Sequence, residues 1–121
     1  MRMTICLAMA TVILLDVPLL SRDCSSGPDT CQQGYVWREA RPSDHVCVTP
    51  EVRNRTQWDN EHAKLHVNPN GGAYGPDTCR SGYVWREAYE GDHVCVTATT
   101  RAQAAADNKA AKGRKACTYT M

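Results

Sequence analysis

"GPDTCQQGYVWREARPSDHVCVT", residues 27–49, returns forty-eight residues later as "GPDTCRSGYVWREAYEGDHVCVT", residues 75–97. The register holds beyond the quoted phrase: Arg53 meets Arg101, Asp59 meets Asp107, Asn60 meets Asn108 and Lys64 meets Lys112 without a gap. A 121-residue chain built this way holds two units of about forty residues, 27–65 and 75–113. The stretch "HVNPNGGAY", residues 66–74, has the Asn, Pro and Gly content of a linker or turn, and residues 114–121 form a short basic tail. A unit this small buries too little surface to fold on its core alone; it needs disulfides, a metal or a neighbour.

Within each unit "GYVWREA" and "DHVCVT" are rich in β-branched and aromatic residues and are separated by four turn-prone residues. This predicts a β-hairpin, turning at Arg41–Asp44 and at Tyr89–Asp92. Alternation along the strands, with that turn, places Tyr35, Trp37, Val46 and Val48 on one apolar face. Arg38, His45 and Cys47 then share the other face, as do Arg86, His93 and Cys95 in the second copy. A helix follows directly. Thr49 suits the N-cap, Pro50 the first helical position and Glu51 the first turn, and the second copy is rich in alanine. Positions 52, 56, 59 and 63 line one side of that helix and are expected to cover the Tyr and Trp rings. Asp59, Asn60, Asp107 and Asn108 lie late in the helices, where their side chains are expected to bond back to nearby backbone groups. The fold class is therefore α+β: two small tandem repeats, each a hairpin followed by a helix.

Cysteine spacing supplies the staple. Cys31 and Cys47 recur at identical spacing as Cys79 and Cys95, and Cys24 and Cys117 flank the pair of units. The seventh cysteine, Cys6, lies in the apolar N-terminal segment, and the remaining six allow fifteen connectivities. Duplication favours one bridge inside each unit and a clasp between the ends, each closed loop of about fifteen residues contributing on the order of 3 kcal/mol. The rival is zinc on Cys31, His45 and Cys47 with Asp44 as a fourth ligand, but the spacing lacks the close cysteine pairs of such sites. No metal and no cofactor is expected.

The N-terminal "MRMTICLAMATVILLDVPLL" combines an early arginine with an apolar run, so residues 1–23 read as a signal peptide, or as an anchor if uncleaved, and the chain as secreted or held at the cell surface. An uncleaved segment is the one expected membrane contact. Net charge is +1; residues 27–96 carry seven Lys and Arg against ten Asp and Glu, while residues 97–121 carry five against one. That balance excludes the concentrated basic surface of a nucleic-acid binder.

The quoted residues resemble a module of secreted, mainly actinobacterial, proteins with the pattern "YGPDTCxxGYVWREAxxxDHVCVTPxxRxQxxxDN", over residues 26–64 and 74–112. The resemblance implies an exported, cysteine-containing module with no catalytic residues to carry over. Adjacent strand residues point to opposite faces, so Asp44–His45 and Asp92–His93 are poorly placed as general-base pairs. No serine-nucleophile, phosphate-loop or HExxH motif is present. The expected function is a binding or accessory protein with an extracellular or cell-wall target, its candidate contacts being Arg38, His45, Arg86 and His93. A small secreted hydrolase or toxin-like effector is the alternative, and a structural spacer at the cell surface a third reading.

Overall fold

A computed structural model describes residues 24–117. Residues 1–23, where the signal peptide or anchor is expected, and the last four residues of the basic tail lie outside the described residues. Strand β1 (Val36–Trp37) pairs antiparallel with β2 (Cys47–Val48) and is followed by helix α1 (Pro50–Glu61). The second unit repeats this with β3 (Val84–Trp85), β4 (Cys95–Val96) and α2 (Ala98–Ala110). Disulfides join Cys31 to Cys47, Cys79 to Cys95 and Cys24 to Cys117. Among the described residues no helix is long and apolar enough to cross a membrane.

The helices start where the caps dictate. Thr49 Oγ1 accepts the Val52 amide at 3.3 Å and Thr97 Oγ1 the Thr100 amide at 3.2 Å, so each cap satisfies a donor that the first turn leaves open. Thr56 and Asp59 of α1 and Ala104 and Asp107 of α2 are buried, so the inner side of each helix is the one that the spacing indicates. Asn60 and Asn108 donate to the hairpin carbonyls of Ala40 and Ala88, both at 3.1 Å, and so tie each helix to its own hairpin.

The strand register corrects the expected faces. A four-residue turn joining Ala40 directly to His45 would set Trp37 opposite Val48. Instead Trp37 pairs with Cys47 and Val36 with Val48, and in the second unit Trp85 pairs with Cys95 and Val84 with Val96. The turn at Arg41–Asp44 forms, the Asp44 amide donating to Arg41 O, but the Glu39 amide also donates to Asp44 O, which leaves Ala40 in the loop. A slip of one residue turns every side chain to the opposite face. Arg38 therefore joins Val48 beneath the helices, while Trp37 shares the outer face with His45 and the disulfide. The Trp rings are half-buried and are not under the helices.

The two units interlock. The Gln32 amide donates to Arg114 O and the Ala116 amide to Thr30 O; at equivalent positions Arg80 N donates to His66 O and Asn68 N to Thr78 O, all at 2.8 Å. The segment after each helix thus pairs with the start of the opposite unit. Residues 66–68 are part of that pairing as well as of the connection, and residues 114–116 of the tail are docked by it. Between the hairpins, Ala40, Ala88 and Ala104 pack together with Tyr89, whose ring lies under the Arg41 guanidinium at 4.1 Å. Residues 41 and 89 are counterparts in the repeat, so the two copies have diverged at that position into complementary partners.

Candidate functional site

Arg38 and Arg86, expected on an open face, are each only 2% exposed. Arg38 Nε and Nη2 grip the two oxygens of Asp44 at 2.7 and 3.2 Å, and Arg86 grips Asp92 at 2.7 and 3.1 Å. The same carboxylates accept the amides of Ala40 and Val46, and of Ala88 and Val94. Beyond its own unit, Arg38 donates to the carbonyls of Ala88 at 3.2 Å and Ala104 at 3.4 Å; Arg86 donates to Asn60 Oδ1 at 2.8 Å. These arginines are fork-shaped cross-links between the units. Burial alone would raise the Asp44 carboxyl, but the hydrogen bonds and charge of Arg38, with the two backbone amides, outweigh it and hold the group below its ordinary value.

His45 and His93 do lie on the outer face, and each lies flat against a tryptophan. Ring centroids are 3.8 Å apart for Trp37–His45 and 3.7 Å for Trp85–His93, near parallel in both. A single aspartate fixes each stack: Asp29 Oδ2 pairs with His45 Nδ1 at 3.0 Å, and its carbonyl accepts Trp37 Nε1 at 2.9 Å. Asp77 holds His93 and Trp85 in the same way. The bond to His45, then against desolvation the charges of Lys115 and His45, keeps the Asp29 carboxyl below the usual range. The histidine's carboxylate partner is thus Asp29, sixteen residues away, and the adjacent Asp44 is committed to Arg38. Cys31 and Cys47 are bonded to one another, so neither is a thiolate available to zinc.

Against these stacks lie two equivalent grooves that the sequence did not point to. The first, about 320 Å³, is lined by Thr30, Cys31, Tyr35, Trp37, Glu39 and Arg53. The second, about 250 Å³, is lined by Thr78, Cys79, Tyr83, Trp85 and Arg101, each the counterpart of a residue in the first, with Tyr74 as an added wall where the first has Ser26. Tyr74 is 73% exposed and meets Trp85 edge-on. Because each tryptophan is only partly covered, Trp37→Ala and Trp85→Ala are each expected to destabilise by about 2 kcal/mol, near half the value for an enclosed ring, as read by urea unfolding.

Glu39 and Arg53 both line the first groove; in the second Arg101 lines it, and Glu87 reaches it through its bond to that arginine. Arg53 Nη2 meets Glu39 Oε1 at 2.9 Å, and Arg101 Nη2 meets Glu87 Oε1 at 2.7 Å. Both glutamates have left-handed backbone, φ 54° and 50°, a conformation that costs a residue with a side chain about 1–2 kcal/mol and that glycine adopts freely. The pairs are one-third to one-half exposed, and such pairs return about 0–1 kcal/mol. Local stability alone would favour glycine at both positions, yet both copies carry glutamate.

What the fold and site define is a disulfide-stapled pair of hairpin–helix units, paired reciprocally and presenting one aromatic groove each. No protein-family model matches the chain, and neither a curated protein nor a solved structure is significantly similar to it.

Proposed function

We propose that the protein is an extracellular binding module of the exported kind its sequence resembles, and that it engages a cell-surface or cell-wall target through its two equivalent grooves. The supporting observation is the recurrence of one groove, with the same tyrosine, tryptophan and arginine, in both units. Two sites on one rigid body gain avidity when the target repeats its epitope. Three disulfides in so small a body accord with an oxidising compartment outside the cytoplasm. Arg38 and Arg86 act in this reading as cross-links that hold the grooves in fixed relation, while His45 and His93 back the tryptophans from behind.

Retention of the purified protein on whole cells and on isolated wall material tests the proposal. Trp37→Ala or Trp85→Ala is expected to weaken retention by about 10²-fold or more through lost avidity, and the double variant to abolish it. Circular dichroism on the same samples establishes that they remain folded. Full retention of a folded double variant would remove the grooves from binding, and turnover of a peptide, ester or glycan substrate would place the protein among the enzymes.

A further inference from the structure

Resting on the groove reading above, we infer that each groove takes a neutral sugar ring of a glycan chain, with the Glu39–Arg53 and Glu87–Arg101 pairs as the groups that recognise its hydroxyls. The flat side of a pyranose is apolar and its rim carries hydroxyls. An indole wall with a carboxylate and a guanidinium at its edge matches both features at once.

The charge state of the groove selects against other ligands. Arg53, lining the first groove, is already paired with Glu39, and Arg101, lining the second, with Glu87, so the guanidinium of each groove is already neutralised. An anionic ligand drawn to the guanidinium would meet the carboxylate beside it, and a cationic one the reverse. A neutral polyol has no such conflict: its O–H groups donate to the carboxylate while its oxygens accept from the guanidinium. The indole N–H groups are spent on the carbonyls of Asp29 and Asp77, which leaves the rings to contribute surface. An extended peptide joining the first unit's sheet edge finds the Cys31 segment already paired with Lys115, and in the second unit the Cys79 segment already paired with Val67.

The left-handed glutamates give the inference its second support. Backbone strain that the local ion pair does not offset is retained in both copies, and strain of this kind persists where a side chain has a task beyond stability. Tyr74, present only beside the second groove, adds aromatic surface there, so that groove is expected to bind the more tightly.

The test is a two-dimensional NMR titration of the intact protein with β-1,4-linked tetrasaccharides of glucose and of N-acetylglucosamine, following the indole N–H signals of Trp37 and Trp85. Saturable shifts of both signals are expected, with Trp85 saturating first. Glu39→Gly and Glu87→Gly are each expected to weaken the shift of their own groove at least tenfold while the melting temperature holds or rises by up to about 4 °C, because glycine relieves the backbone. A fall in melting temperature with sugar binding intact would show the glutamates to be structural, and would overturn their role here. If neutral sugars move neither indole while the protein is still retained on wall material, and protease treatment of that material abolishes retention, the grooves take protein, so the glycan inference fails and the binding reading survives. Absence of both sugar binding and retention would overturn the binding reading itself.

Discussion

Arg38→Ala and Asp44→Ala are each expected to destabilise the protein by about 3–5 kcal/mol, since removing one member of a buried pair strands the other charge away from water. Against a total stability of about 5–15 kcal/mol for a domain, either change brings the chain close to unfolding at ambient temperature. Asp44→Ala is expected to be the more severe, because that carboxylate also holds the Ala40 and Val46 amides. The double variant should lose less than the sum, as expected for residues that share one interaction. Arg86→Ala is expected to cost less than Arg38→Ala. Arg38 donates to two carbonyls of the opposite unit, whereas Arg86 Nη1 is buried without a partner. Urea unfolding of the single and double variants measures all four values. Unchanged stability of Arg38→Ala would mean that its guanidinium stands in solvent, as the alternation pattern alone suggested.

The same pair sets an acid limit. With the Asp44 carboxyl held below its unfolded value of about 3.9, its contribution is present above that pH and is lost as pH falls through the lower folded value. Stability should therefore hold from neutrality to about pH 4 and decline below it. The decline should be smaller in Asp44→Asn, which has no proton to take up there. A pH series of melting temperatures for the two proteins reads this difference directly.

Hairpin, helix and bridges were legible because each rests on local chemistry: Thr49 before Pro50, a turn at Arg41–Asp44, and cysteines copied at one spacing. The inner side of the helices was legible from periodicity, and the return bonds of Asn60 and Asn108 from their position. The strand faces were not. A four-residue connection and a five-residue one differ only in whether Ala40 pairs, and counting apolar residues favoured the connection that put Trp37 with Val46 and Val48. That count fails here because the space between the units is filled by alanines and two ion pairs instead of large aliphatic chains. A signal for the arginines did exist: Arg and Asp six residues apart are kept in both copies, while the turn residues between them change. The interlock left none, because the segments after the helices share no residue: His66, Val67 and Asn68 stand opposite Arg114, Lys115 and Ala116 in the repeat. Backbone hydrogen bonds form that pairing, and it needs no particular side chains. The grooves were hidden by the same slip of register, which carried the tryptophans from the expected core to the outer face.

The interlock makes the clasp the most consequential of the three bridges. Cys24 and Cys117 are separated by 93 residues, against 16 for each bridge within a unit. Loop-closure entropy grows slowly with length, giving about 4.7 kcal/mol for a loop of this size and about 3 kcal/mol for the short ones. Its position matters as much as its length. One of the two reciprocal pairings, His66–Asn68 with Thr78–Arg80, lies close along the chain; the other, Thr30–Gln32 with Arg114–Ala116, joins the far ends and closes only across the whole molecule. Cys117 is buried beside that second pairing. Replacing Cys24 and Cys117 together by serine is therefore expected to lower the melting temperature by on the order of 20 °C, more than loss of either internal bridge. Hydrogen exchange should locate the loss: the amides of Gln32 and Ala116 should exchange faster well before those of Asn68 and Arg80. If all four amides lost protection together, the two pairings would form one cooperative unit that the clasp does not selectively hold. If the melting temperature moved by only a degree or two, the ends would be held by their hydrogen bonds and by Arg114 and Lys115, whose side chains donate to the carbonyls of Cys47 and His45.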